Sequence, residues 1–153
     1  MLSVSLLIPG AAQGAEKSLA ALGNPDLGRA EWSLPDAGRE VKAIQAFYPK
    51  SNIYSNKNAS KARLTEIATR AGVAHVAAHG VVNDFDPMIS VLKLAALGIV
   101  GCDMEVRELP KLSLSKARLV SLSACNSGVG KVAQSDEFME FKWALFLPGQ
   151  PAR

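Results

Sequence analysis

VAHVAA at residues 73–78 and LVSL at residues 119–122 decide the fold of this chain. Both runs are short and apolar without clean alternation, a pattern typical of strands buried on both faces of a parallel sheet. Strands that alternate with helical segments predict an α/β domain with a mostly parallel sheet and helices on both faces. Sites in such sheets form beyond the carboxyl ends of the strands, where His79 and Gly80 follow one run and Cys125 and Asn126 follow the other.

Periodicity predicts further elements outward from these two strands. Val41, Ile44 and Tyr48 share one face of a helix at residues 36–48, and Pro49 ends it. The remaining predicted elements are helices at 60–71 and 136–147, strands at 51–54 and 91–95, and a short helix at 106–112 broken at Pro110.

Length and composition predict a single domain over residues 1–153. The chain has 153 residues, 48% of them hydrophobic, which is enough for one core but hardly for two. The net charge is +3, and the basic residues are scattered among acidic ones. This distribution indicates solubility and argues against a nucleic-acid partner.

The cysteines predict a reducing, cytoplasmic environment. Cys102 and Cys125 form no CxxC pattern, and two cysteines are too few for the disulfide framework of a small secreted protein.

No apolar run approaches the roughly 20 residues that span a bilayer, so we expect no membrane association. Residues 1–15 carry no Lys or Arg before their apolar part, unlike a typical signal peptide.

Cys125 and His79 are suited to acyl transfer if their strands are neighbours. A thiol attacks as thiolate, and a free cysteine with a pKa of about 8.5 needs an imidazole or a helix N-terminus to lose its proton at neutral pH. An imidazole, with an unperturbed pKa of about 6.5, can also return the proton to a leaving amine. The backbone amides of Gly80 and Cys125 are the candidate oxyanion donors.

Other residues allow alternative interpretations. His75 and His79 lie four apart, which would suit a metal pair on a helix, but VAHVAAHG is better explained as a strand, with His75 in the core. Cys102 is expected to be a packing residue or a loop thiol. Asp136 is a weak candidate for substrate binding, where a carboxylate would favour a basic residue before the scissile bond.

Several segments resemble successive blocks of the CHAT domain. They are LPDAGREVKAI at 34–44, AHVAAHGVV at 74–82, DPMISVLKLA at 86–95 and ARLVSLSACNSGVGKV at 117–132, with GNPDLG at 23–28 and SDEFMEFKWALFL at 135–147 as flanking blocks. The histidine-glycine block precedes the serine-alanine-cysteine block at a separation close to the roughly 50 residues found in caspases. The local caspase pattern is met only in part, because Ser123 stands where glutamine is expected.

The resemblance implies a caspase-like three-layer sandwich and a histidine-cysteine dyad, which falls on His79 and Cys125. It implies a cysteine endopeptidase that cleaves a protein or peptide through a thioester, without a cofactor or metal. CHAT domains are often attached to TPR repeats that hold an activator or a target, so a regulatory protein partner is also implied.

The end of the chain departs from the family. After Leu147 the family would continue into another buried strand, whereas PGQPAR contains two prolines that remove hydrogen-bond donors. The expected domain is therefore partial, incomplete at its C-terminal end. This suggests the first alternative, a catalytically inactive CHAT fragment that acts as a protein-interaction module. The second alternative, from the spacing of the two histidines, is a metal-dependent hydrolase that uses His75 and His79.

Overall fold

The computed structural model of the chain describes residues 2–7, 18–83, 85–95, 103–112 and 116–126, and for residues 2–7, 87, 125 and 126 it describes the backbone alone. Within these ranges the chain forms one sheet with two α-helices and three 3₁₀ turns. The strands are β1 (Leu2–Leu7), β2 (Ser18–Pro25), β3 (Lys50–Asn56), β4 (Val73–Val81), β5 (Val91–Lys93), β6 (Met104–Glu105) and β7 (Leu119–Asn126). The helices are α1 (Pro35–Gln45) and α2 (Lys61–Ala68), and the 3₁₀ turns are Ala30–Trp32, Pro87–Ile89 and Val106–Lys111.

The main sheet has the strand order β1-β7-β4-β2-β3. β7, β4, β2 and β3 run parallel, and β1 pairs antiparallel with β7 at the edge. β5 pairs antiparallel with the last residues of β4 and also with β6. The predicted α/β class with a mostly parallel sheet is therefore confirmed.

The two faces of the sheet carry two separate apolar clusters. On one face, α1 covers the cluster that includes Leu19, Ala21, Val73 and Ala77. The other face carries the larger cluster, to which α2 and the 3₁₀ turn Val106–Lys111 contribute. Because both faces are covered, the sequences of the central strands are nearly continuous apolar runs, as in other buried parallel sheets.

Helix α1 lies very close to β2. Pro35 begins the helix, and the N–H of Leu34 just before it donates to the Asn24 side chain at 2.6 Å. Ala37 and Val41 are fully buried on its inner side. Beneath them, a Cβ placed on Gly23 would lie 2.7 Å from the carbonyl oxygen of Ala37 and 2.8 Å from the methyl groups of Val41. Glycine at this position is what lets the helix approach the strand.

Several predicted boundaries differ from the structure. β4 runs to Val81 and β7 runs to Asn126. His79 and Cys125 are therefore among the last residues of these strands and do not lie in the loops that follow. β2 was not predicted, because SLAALGNP is rich in alanine and ends in turn residues, whereas pairing on both sides makes it a strand. The predicted helix at 136–147 lies outside the described residues.

Within the described ranges, no helix is long and apolar enough to cross a membrane.

The approach of α1 gives a paired test with two glycines. Gly23→Ala should destabilise the fold by about 1–3 kcal/mol, because the added methyl group meets backbone and a packed valine. Gly38→Ala within α1 should instead stabilise it by about 0.5–1 kcal/mol, since the new Cβ meets only ordinary contacts, the nearest at 3.6 Å. Urea unfolding of both variants checks this, and equal stabilities would contradict the close approach.

Candidate active site

The active-site candidates lie where β4 and β7 run side by side. These strands are paired in parallel register from Val73 with Leu119 to Gly80 with Asn126, and His79 is the register partner of Cys125. Register partners on neighbouring strands lie side by side, at the same height along the two strands. The structure therefore brings together the two positions that the sequence predicts as a pair, at the carboxyl ends of two adjacent parallel strands.

The His79 ring is held by a backbone carbonyl. Its Nε2 lies 3.0 Å from the carbonyl oxygen of Trp32. A carbonyl oxygen can only accept a hydrogen bond, so Nε2 carries the hydrogen and, in the neutral imidazole, the lone pair is on Nδ1. Nδ1 is buried and has no hydrogen-bond partner among the described residues. His79 thus has one nitrogen engaged by the backbone and one buried nitrogen with a lone pair available.

Trp32 is placed by the loop that joins β2 to α1. Asn24 and Gly28 adopt positive φ angles of 51° and 76°, and the Asp26 side chain accepts a hydrogen bond from the N–H of Gly28 at 2.9 Å. The guanidinium of Arg29 lies over the Trp32 ring at 5.4 Å from its centroid. Sequence reasoning missed Trp32, because its role comes from a main-chain carbonyl that no residue pattern reports.

The sequence of this chain matches a known protein family. The family model described as CHAT domain matches residues 2–153, nearly the whole chain.

The chain belongs to the CHAT domain family.

No curated protein matches it. The caspase-like fold expected for a CHAT domain agrees with the observed sheet and its flanking helices.

The other histidine of this CHAT domain is enclosed beneath α1. His75 is 3% exposed, and its Nε2 lies 3.0 Å from Oε1 of Glu40 on α1. Burial lowers the pKa of His75 because the imidazolium is poorly solvated there, and the charge of Glu40 offsets this only in part. The second carboxylate oxygen, Oε2, accepts a hydrogen bond from the Ser123 hydroxyl at 3.2 Å. Sequence reasoning placed His75 in the core but missed Glu40.

The two histidines do not converge on a common point. His75 Nε2 faces Glu40, whereas His79 Nε2 faces the Trp32 carbonyl. Within the part of the chain that the structure describes, no group of three or more His, Cys, Asp or Glu residues could hold a metal ion.

The flank of the site beyond His79 is charged. On the side away from Cys125, His79 is the register partner of Lys93 on β5. The Lys93 ammonium pairs with the Asp103 carboxylate at 2.6 Å, and both side chains are partly exposed. Of the other predicted site residues, Gly80 lies inside β4, between Asn126 of β7 and Leu92 of β5, and not in a turn. Asp136 and Cys102 lie outside the described residues.

The lowered pKa of His75 predicts acid destabilisation. Unfolded histidine has a pKa of about 6.5. Below that pH the unfolded chain binds a proton that folded His75 takes up less readily, so the free energy of unfolding should fall as the pH drops from about 6.5 towards the folded pKa. His75→Gln should flatten this pH dependence.

The matched control is His79→Gln, because the chain has only these two histidines. It should retain the slope in urea unfolding measured between pH 7.5 and pH 5. A slope that disappears in His79→Gln and persists in His75→Gln would contradict the assignment.

Proposed function

We propose that this CHAT domain is a cysteine endopeptidase that cleaves a protein substrate with Cys125 as nucleophile and His79 as base. The observation that carries the proposal is the register pairing of His79 with Cys125, together with the buried lone pair that the Trp32 carbonyl leaves on His79 Nδ1. An imidazole with one nitrogen oriented by an acceptor and the other available beside a cysteine position is the arrangement that activates a thiol.

The reaction divides one difficult step into two. His79 takes the proton of the Cys125 thiol, and the thiolate attacks the scissile carbonyl carbon to form a tetrahedral oxyanion. Collapse breaks the C–N bond, and His79 gives the proton to the leaving amine, which leaves a thioester on Cys125. A water molecule, deprotonated by His79, then attacks the thioester and releases the acid and the thiol. No step needs a metal or an organic cofactor.

The Trp32 carbonyl supports both halves of this cycle. It accepts the Nε2 hydrogen when the ring is neutral, and it interacts favourably with the same hydrogen when proton transfer makes the ring cationic. The ring orientation therefore does not have to change between base and acid roles. Fixing a group in its reactive orientation before the chemistry begins is a large part of catalytic rate enhancement.

The oxyanion requires hydrogen-bond donors, and we propose the backbone amide of Cys125 for this role, because Cys125 lies at the end of β7 beside His79. Gly80, whose amide the sequence also offered, lies inside β4 and is paired with both β5 and β7. Losing one such donor typically costs about a hundredfold in rate.

For the substrate, we propose a protein or peptide segment that lies across the carboxyl ends of β4 and β7, where ligands bind in sheets of this kind. Asp136 remains a proposal for binding a basic residue before the scissile bond. A regulatory protein partner, of the TPR type found with related CHAT domains, is likewise a proposal.

The proposal predicts covalent labelling by a peptidyl acyloxymethyl ketone that depends on both residues. Wild type should form a stable thioether, detected by intact mass. Cys125→Ala should not label, and His79→Ala should label more slowly by about a hundredfold or more, because the thiol loses its base.

Cys102→Ala is the matched control, since it removes the chain's other cysteine and should label at the wild-type rate. Circular dichroism of each variant checks whether the fold is retained. Equal labelling of wild type, Cys125→Ala and His79→Ala would refute the proposed mechanism, and labelling lost only in Cys102→Ala would transfer the reactivity to the other thiol.

A further inference from the structure

One carboxylate connects α1 to both strands that carry the proposed catalytic pair. The Glu40 side chain reaches from α1 to the sheet and is 28% exposed, whereas its partners His75 on β4 and Ser123 on β7 are 3% and 1% exposed. Its two oxygens have different neighbours: Oε2 accepts a hydrogen bond from Ser123 at 3.2 Å, and Oε1 lies 3.0 Å from His75 Nε2, without the geometry of a hydrogen bond. The Glu40 carboxylate has no part in the proposed reaction of Cys125 and His79, and it is not a proposed oxyanion donor.

The contacts of Glu40 depend on the register of β4 and β7. Side chains along a strand alternate between the faces, so Ser123 belongs to the same face as position 125, and His75 to the same face as His79. A slip of β7 by one residue would turn Ser123 to the opposite face and place a neighbouring residue under Glu40. In the observed register the carboxylate has a hydroxyl donor from β7 and lies beside an imidazole of β4.

Polar contacts depend on strand alignment more strongly than apolar contacts do, so the contacts of Glu40 favour some alignments of the strands over others. A carboxylate that loses part of its water needs partners, and leaving a buried polar group without one costs about 1–3 kcal/mol. Apolar side chains would stabilise the layer beneath α1 comparably in many alternative alignments, because apolar contacts are not directional. A polar contact instead penalises those arrangements that leave its groups without a partner.

Helix α1 also connects to His79 through its leading segment. The Trp32 carbonyl, three residues before the start of α1 at Pro35, accepts from His79 Nε2, while Glu40 within the helix contacts Ser123, two residues before Cys125. The 3₁₀ turn before α1 thus contacts the His79 imidazole, and α1 itself contacts the strand that carries Cys125.

We propose that Glu40 is a positioning residue, which, through Ser123 and His75, sets the end of β7 against β4 so that Cys125 lies within proton-transfer reach of His79. The inference rests on the proposed function for its catalytic meaning. It adds a residue that touches neither the substrate nor the reacting atoms.

Two readouts test this in a Cys102→Ala background, where Cys125 is the single thiol. One is the rate of labelling by the peptidyl ketone, and the other is the pH dependence of alkylation by iodoacetamide, which reports the thiol pKa without needing a peptidase. Glu40→Ala and Ser123→Ala should slow labelling by on the order of tenfold to a hundredfold, as small misplacements of catalytic groups do. The alkylation midpoint should move up towards the ~8.5 of a free cysteine.

Glu40→Gln serves as the conservative rescue, because its amide oxygen can still accept from Ser123. It should recover most of the rate that Glu40→Ala loses. Asp36→Asn is the matched control, since it removes one carboxylate charge from an exposed position on the same helix and should leave both readouts unchanged. Thermal unfolding of every variant gives the folded fraction at the assay temperature. If Glu40→Ala does not fold, Ser123→Ala decides the test.

The outcomes separate the two proposals. If wild type labels through Cys125 and His79 while folded Glu40 and Ser123 variants label at the wild-type rate with an unchanged midpoint, the positioning role is overturned and the peptidase proposal stands. A loss of rate that only follows the folded fraction also overturns it. If the ketone does not label wild type but the alkylation midpoint rises in Glu40→Ala, the peptidase proposal fails and positioning is supported. A midpoint already near that of a free cysteine in wild type overturns both.

Discussion

The parallel pairing of β4 with β7 is the constraint on which the rest of this CHAT domain depends. It aligns His79 with Cys125 and Gly80 with Asn126, and it places these residues at the carboxyl ends of central strands. The pairing is long-range, since the two strands are separated by β5, β6 and two 3₁₀ turns. It is stabilised by burial on both faces, where alanines and valines of β4 pack under α1 on one side and under the larger cluster on the other.

Close packing of α1 turns this strand pair into a site. Gly23 lets the helix approach the sheet, and that approach brings Glu40 to within reach of His75 and Ser123. The loop before the helix meanwhile presents the Trp32 carbonyl to His79. A helix held further from the sheet by a single additional methyl group would lengthen these polar contacts together, so the packing of the apolar layer and the geometry of the site are not independent.

The layer beneath α1 therefore combines apolar and polar contacts with different consequences. Ala37 and Val41 stabilise the layer by apolar burial, which does not depend on the orientation of the partners. Glu40 makes orientation-dependent polar contacts, and its carboxylate loses part of its water to make them. His75 is enclosed in the same layer with a lowered pKa, so the layer has an uncharged imidazole against a carboxylate at neutral pH. The strand register and the fixed His79 ring converge on the same end of the sheet.

The sequence by itself determined the α/β class, the two central strands, helices near α1 and α2, and the candidate pair His79 and Cys125. Local periodicity reports which side chains are buried, and short motifs report chemistry, so these features could be read along the chain. Only the tertiary structure decided that β2 is a strand, that the Trp32 carbonyl holds His79, and that Glu40 bridges β4 and β7. Each of these depends on partners distant in the sequence, and a main-chain carbonyl or a helical glutamate looks the same in a sequence whether or not a partner lies 3 Å away.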